Sequence, residues 1–350
     1  MIDLLVAGAG PAGCATAIRA AMAGLSVVVV EPRSGPIDKA CGEGIAHSAV
    51  EYLTRLGVEL SGRPFHGIRY VDASHQVDAR FTAGPGLGVR RTTLQAGLLK
   101  RLSDLNVPII QARVGPITQN TRSVTAADIT ARYLAAADGL HSPIRRQLGL
   151  SQPPRLASRS SAPHGGAGGV RRGLRQHFAV SPWTDLVEVY WSRLGEAYVT
   201  PVADDLVGVA VLTSERGTFD SHLQAFPALK RRLQGAPAAN AVMGAGPLRQ
   251  RVHARTAGRV LLVGDAAGYV DALTGEGIAV ALRTSAELVD CIRADRPQDY
   301  EAAWRRVSWE CRLLTASLLW ARNRPLLAPR IVPAAAALPG VYRTIVNRLS

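Results

Sequence analysis

The chain begins with a strand, a glycine-rich turn and a helix whose spacing leaves few folds open. Leu4-Leu5-Val6-Ala7 is a short apolar run that stops at Gly8-Ala9-Gly10-Pro11-Ala12-Gly13. From Pro11 to Gly24 the chain is Ala-rich with helical spacing, and Gly24 is placed to end that helix. Ser26 to Val30 is a β-branched run closed by Glu31. Strand, turn, helix and strand within about thirty residues make a βαβ unit, the context in which GxGxxG carries meaning. Gly8 permits the tight turn, Gly10 lets the backbone approach a pyrophosphate, and Gly13 lets the helix pack on the strand. The helix N-terminus offers free N–H groups and a partial positive charge to the phosphates. Glu31 follows Gly13 by eighteen residues, where a carboxylate accepts hydrogen bonds from ribose hydroxyls. The unit predicts a Rossmann-like α/β domain for a dinucleotide. By itself it does not separate FAD from NAD.

Two later strand ends decide between them. Tyr133-Leu134-Ala135-Ala136-Ala137 reads as a buried strand, Asp138-Gly139 turns the chain, and Ser142 is an N-cap before Pro143. Arg259 to Val263 is a second buried strand, ended by Gly264-Asp265. Asp271-Ala272-Leu273-Thr274-Gly275-Glu276-Gly277 then leads into a helical pattern from Ile278 to Ile292. In this order the three segments resemble the FAD-binding set of flavin monooxygenases of the para-hydroxybenzoate hydroxylase type and of their relatives the geranylgeranyl reductases. Asp38-Lys39-Ala40-Cys41-Gly42-Glu43-Gly44-Ile45 resembles the CGEG segment of the reductase branch.

The resemblance implies FAD as cofactor and assigns its contacts. Gly8, Gly10, Pro11, Ala12 and Gly13, with Glu31, Pro32 and Arg33, would hold the adenosine and pyrophosphate. Lys39, Cys41 and Gly42 would pack under the flavin side. Arg91, at the head of a helix reaching Leu102, would contact the pyrophosphate or ribityl chain. Asp138 and Gly139, with Arg145 matching the same pattern, would lie beside the pyrophosphate. Gly264 and Asp265 would meet the ribityl hydroxyls, for which a carboxylate is a strong acceptor. Thr274, Gly275, Glu276, Gly277 and Ile278 would present backbone N–H groups to the flavin ring at a helix N-terminus. No second GxGxxG marks a nicotinamide domain, so NAD(P)H is expected as a transient co-substrate.

The rest of the chain lacks this character. Phe65 to Val89 alternates in strand fashion around a polar turn at Ser74-His75, and Leu186–Trp191, Ala197–Val202 and Leu206–Leu212 are further strand runs. These predict an inserted antiparallel β-sheet that covers the flavin. The expected division is an FAD domain of 1–64, 90–150 and 246–300, a substrate domain of 65–89 and 151–245, and a C-terminal helical segment of 301–350. Ser158 to Gly173, rich in Gly and Ser, is expected to be mobile. Substrate would sit between sheet and ring, against Tyr190 and Tyr198. His177 is the candidate catalytic group, because an imidazole can deprotonate a phenol. Gly195 to Pro201 aligns loosely with the YxWxFP stretch of the reductase branch but lacks its tryptophan, which speaks against a prenyl substrate.

Composition adds bounds. Net charge is +14, yet only Lys39, Lys100 and Lys230 are lysines, and the arginines are spread over every segment. That pattern suits anionic cofactors or anionic lipid surfaces and gives no reason to expect nucleic acid. Cys14, Cys41, Cys291 and Cys311 form no CxxC pair or zinc spacing, so free thiols and no metal are expected. No signal-type h-region and no apolar run of membrane-spanning length occur, so the expected location is the cytoplasm, with peripheral membrane contact by the tail as an alternative. Oligomeric state is left open. The function expected is an FAD-dependent monooxygenase that uses NAD(P)H and O2 to hydroxylate or epoxidise a hydrophobic, aromatic or polyketide-like small molecule. Its alternatives are a reductase of isoprenoid C=C bonds and a non-catalytic basic FAD-binding protein.

Overall fold

The computed structural model describes residues 1–152 and 170–349. Its first sheet has a parallel centre in the order Val260–Leu262, Ile129–Ala136, Ile2–Ala7, Val27–Val30, Ile109–Ile110. Thr256–Ala257 adds an antiparallel edge, and Val124–Ala126 with Thr118–Gln119 forms an antiparallel extension. Helices cover the parallel strands, so these read as continuous apolar runs, and Leu4, Leu5 and Val6 are fully buried. Pro11–Met22 is the first crossover helix, with proline at its first turn. It ends where Gly24 turns left-handed at φ +80° and Leu25 N–H bonds back to Ala20 O at 3.0 Å. Arg91–Asp104 and Gly277–Arg293 pack against it. Ala7, Val30, Ala136 and Leu262 thus end at one edge of the sheet, where open α/β sheets bind ligands.

The second sheet has seven strands in the order Met243–Ala245, Arg172–Ala179, Leu206–Thr213, Gly195–Ala203, Val187–Trp191, Gly67–Val71, Gln76–Arg80. The sequence led us to expect antiparallel pairing throughout. One pair departs from it: Val187–Trp191 runs parallel to Gly67–Val71, with Val187 opposite Ile68. The two strands come from separate stretches of the chain, so no hairpin fixes their direction. A small third sheet joins Gly44–Ile45, Gly86–Gly88 and Arg63–Phe65.

Side-chain alternation divides the seven-stranded sheet between two cores. Phe178, Tyr190, Val199 and Val209 face one way, onto the short helices Phe219–Leu223 and Pro227–Arg232, which sequence periodicity did not reveal. Val77, Val189 and Trp191 face the other way, onto the C-terminal helices Tyr300–Arg322, Ile331–Ala337 and Pro339–Leu349 through Leu319, Val332, Tyr342 and Val346. The segment expected to be mobile, 158–173, lies outside the described residues as far as 169, while Arg172 and Gly173 open a strand. Among the described residues no helix is long and apolar enough to cross a membrane.

Candidate active site

The glycine-rich turn is built by steric exclusion. Gly8 has φ +105°, and a Cβ there would lie 2.6 Å from Ala137 O. A Cβ on Gly13 would lie 1.8 Å from Gly8 O, and one on Gly264 (φ +63°) 2.6 Å from the Ala12 methyl. Three segments far apart in the sequence therefore meet at van der Waals distance only because these positions lack side chains. Glu31 is buried at the end of its strand. Its Oε2 accepts the Ala9 N–H at 3.0 Å and its Oε1 the Arg33 Nε–H at 2.8 Å.

Two carboxylates stand over this turn. Asp138 Oδ2 accepts the Ile144 N–H at 3.0 Å, while Oδ1 is buried without a partner. Burial raises the Asp138 pKa. Asp265 accepts no hydrogen bond at its carboxylate among the described residues. It lies deep enough for burial to raise its pKa, with Lys39, Arg91 and Arg145 pulling the other way. Arg145 ties the two segments together: its guanidinium donates to Leu140 O (2.9 Å), Ala266 O (3.1 Å) and Gln250 Oε1 (2.8 Å).

The 38–44 segment is held by a buried polar network. Glu43 takes a left-handed backbone, φ +61°. Its Oε1 accepts the Arg91 N–H at 2.8 Å, and its Oε2 lies 2.5 Å from His177 Nε2. His177 Nδ1 meets Asn240 Nδ2 at 2.7 Å and Arg175 Nη1 at 3.1 Å, and Arg175 reaches Asp38. Thr200 Oγ1 donates to Gly42 O at 2.7 Å. The Arg91 guanidinium donates to Gln95, whose amide in turn reaches Ala9 O in the glycine turn.

Above these groups lies a cavity of about 670 Å³. One set of walls is the strand-end machinery: Gly10, Pro11 and Ala12; Lys39, Cys41 and Gly42; Arg91 and Gly139; Gly264 and Asp265; Thr274 to Ile278. The other set is apolar and comes from the second and third sheets, the turn after Arg80 and the C-terminal helical segment, including Phe65, Ile68, Phe81, Leu318, Leu338 and Ile345. Glu276 is a wall residue whose Oε2 is buried without a hydrogen-bond partner, and burial pushes its carboxyl up to about 8. Arg283 Nη2 is its nearest cation, at 3.7 Å.

Gly8, Gly13, Glu31, Pro32, Arg33 and Asp138 stand behind the walls, shaping the turn or flanking it. Tyr198 is on the wall, its hydroxyl donating to Leu273 O at 2.6 Å. Tyr190 is not. Pleating turns it to the opposite face of the sheet, where its hydroxyl donates to Glu188 Oε2 at 2.7 Å. His177 also lies off the wall, 1 % exposed and enclosed by Glu43, Arg175 and Asn240. Glu43, Gln95, Arg175 and Tyr269 were missed as site-building residues, as were the C-terminal helices as a wall. Only the CGEG spacing pointed toward Glu43.

Residues 1–81 match the family model described as an FAD binding domain. Menaquinone reductase of Mycolicibacterium smegmatis is 30% identical over 332 residues, covering 86% of this chain and 79% of that protein. Digeranylgeranylglycerophospholipid reductase 2 of Methanosphaera stadtmanae is 27% identical over 81% of this chain and 75% of its own length. A flavoprotein/dehydrogenase structure from Cytophaga hutchinsonii superposes with a TM-score of 0.82 at 17% identity, covering 99% of this chain and 92% of that one.

Proposed function

The chain belongs to the FAD-dependent oxidoreductases that include the para-hydroxybenzoate hydroxylase type and the geranylgeranyl reductases, and within that family we propose that it saturates a carbon–carbon double bond in the isoprenoid chain of a lipid. This places the weight on the reductase alternative and not on the hydroxylation expected from the sequence. The observation that carries it is the apolar half of the cavity. Phe65, Ile68, Phe81, Leu318, Leu338 and Ile345 offer a hydrocarbon chain dispersion contacts and relief from water. Relatives named for menaquinone and for a geranylgeranylated phospholipid support a lipid substrate.

The residues present fit FAD. The collapsed glycine turn and the Pro11–Met22 N-terminus suit a pyrophosphate, and the unpartnered Asp138 Oδ1 and free Asp265 carboxylate suit sugar and ribityl hydroxyls. Gly10, Pro11, Ala12, Glu31, Lys39, Arg91, Asp138, Gly139, Gly264 and Asp265 would hold the cofactor, and Gly275–Ile278 would present N–H groups to its ring. When bound, FAD supplies the two-electron carrier, reloaded by NAD(P)H. Saturation also needs a proton. Glu276, a wall carboxyl held neutral by burial up to about pH 8, is the residue we assign to supply it.

The lipid's entry route follows from the C-terminal helices. Leu338, Val341 and Ile345 line the cavity and are also exposed to solvent. Trp309, Leu313, Trp320 and Leu326 in the same helical segment are 55–76% exposed, with Arg324, Arg330, Arg343 and Arg348 interleaved along it. Aromatic and aliphatic side chains mixed with arginine suit the headgroup boundary of an anionic bilayer. The protein would rest there as a peripheral guest and draw its substrate into the cavity.

The test is an anaerobic assay of the purified flavoprotein with NAD(P)H and a geranylgeranylated lipid in vesicles. A product heavier by two hydrogens supports the proposal. Turnover that requires O2 and adds one oxygen atom overturns it in favour of the monooxygenase.

A further inference from the structure

A second cavity, of about 390 Å³, shares Tyr269 with the first. Its walls come from residues 249–255, the 268–270 turn and the Tyr300–Arg322 helix. Arg249, Arg251, Arg255, Arg305 and Arg312 line it, with His253 beside them. One carboxylate answers them: Glu301 pairs with Arg255 at 2.7 Å and with Arg305 at 2.9 Å. Among the described residues, Arg249, Arg251 and Arg312 have no carboxylate within ion-pair distance.

The cluster is also rigidly presented. The Arg255 and Arg312 guanidiniums lie 3.7 and 4.8 Å from the ring centre of the buried Trp304. Arg255 is 5% exposed, and its Nε is buried without a partner. Burial, helped by the like charges of Arg251, Arg312 and Arg305 respectively, lowers the pKa of Arg249, Arg255 and Arg312, and Glu301 opposes it at Arg255 and Arg312. Guanidiniums gathered round a cavity with one shared counter-ion repel one another. A multiply charged anion relieves that repulsion and suits their fork of N–H donors.

We propose that this cavity binds a phosphate-bearing anion, a phosphomonoester or pyrophosphate group, separately from the FAD cavity. Two sources carry that chemistry: the adenosine half of a phosphorylated nicotinamide dinucleotide, and the headgroup of an anionic phospholipid. The position favours coupling to the flavin cavity. Gln250 lines the anion cavity and accepts a hydrogen bond from Arg145, which also donates to the backbone of Asp265. The proposal does not rest on the reductase reading, since binding and not turnover is measured.

The experiment is calorimetric titration of the FAD-loaded protein at low salt with 2′,5′-ADP, with inorganic pyrophosphate, and with a short-chain phosphatidic acid kept monomeric. The variants are Arg251→Gln/Arg312→Gln, the milder Arg249→Gln, and Arg55→Gln as a control on the His47–Arg55 helix, where it pairs with Glu51 at 3.2 Å. Saturable binding that weakens tenfold or more in the double variant, weakens less in Arg249→Gln and is unchanged in the control supports the site. A preference for 2′,5′-ADP, with a raised KM for NADPH and an unchanged kcat in Arg249→Gln, identifies the nucleotide. A preference for phosphatidic acid identifies the headgroup. Absence of saturable binding by all three, or equal binding by folded wild type and both cavity variants, overturns the proposal.

Discussion

His177 Nε2 lies 2.5 Å from Glu43 Oε2, with both side chains 1% exposed. Glu43 is anchored from the other side by the Arg91 N–H, and His177 by Asn240 and Arg175. The couple therefore joins the CGEG segment, the Arg91–Asp104 helix and the second sheet at the cavity wall, which Glu43 and Arg175 line and behind which His177 lies. Removing one partner strands the other's polar atoms in the interior, which costs about 3 kcal/mol for a buried pair. We expect Glu43→Ala and His177→Ala each to lower unfolding stability by that order, and the double variant to lose less than their sum. Urea denaturation of the three proteins measures this. Additive losses, or a His177→Ala protein of full stability, would contradict the clamp.

The cofactor machinery makes a second prediction. Asp265→Ala leaves the backbone of the Gly264–Ala267 turn intact but removes the carboxylate with no protein partner. Flavin occupancy of the purified variant should fall at least tenfold while far-ultraviolet dichroism is unchanged. Gly13→Ala should lose both flavin and stability, because its methyl would sit 1.8 Å from Gly8 O. Visible absorbance after gel filtration reports both. A yellow Asp265→Ala protein would remove that residue from the cofactor site.

What could be read from the sequence was whatever glycine and local periodicity encode. The turn at Gly8–Gly13, the Ser142 cap that accepts the Arg145 N–H, and the strands ending at Ala136 and Leu262 depend on near neighbours in the chain. What depends on side-chain parity or long-range pairing was not legible. Tyr190 and Tyr198 looked equivalent as aromatics on strands, yet their opposite registers send one to the outer core and one to the cavity. Glu43 and His177 are 134 positions apart, so no spacing rule joins them. The missing tryptophan near Tyr198 spoke against a prenyl chain, but the apolar wall is supplied from the distant Leu314–Val346 region, whose Pro-broken pattern gave no hint of lining a cavity.

Glu276 sets a pH dependence whose sign is fixed. Its carboxyl titrates near 8 when folded, against an ordinary 4.5, because burial disfavours the charged form. The folded chain then holds a proton that the unfolded chain has released. The favourable contribution is complete below about pH 4.5 and is lost as the pH rises through about 8. Glu276→Gln cannot titrate, so relative to wild type it should gain stability steadily between pH 5 and pH 8.5, by on the order of 4 kcal/mol. If Glu276 also delivers the proton, turnover in this variant should fall at least a hundredfold with flavin still bound. A stability difference independent of pH would show that the carboxyl is ionised in the folded protein.

The exposed apolar residues around the cavity mouth predict a separable loss. Trp320, Leu326 and Leu338 are 56–76% exposed and make no part of the first core, so charging them leaves the folded state its packing. Arg324, stacked on Trp320 at 4.9 Å, stays available to anionic headgroups. Trp320→Glu/Leu326→Glu should therefore weaken sedimentation with phosphatidylglycerol vesicles at least tenfold, with Tm unchanged within about 2 °C. Turnover of a vesicle-borne lipid should fall in step, while turnover of a short, water-soluble prenyl alcohol is retained. Wild type and variant that both stay in the supernatant would exclude a lipid-facing mouth. Loss of activity on the soluble alcohol as well would mean that these side chains shape the cavity itself and not its approach to the bilayer.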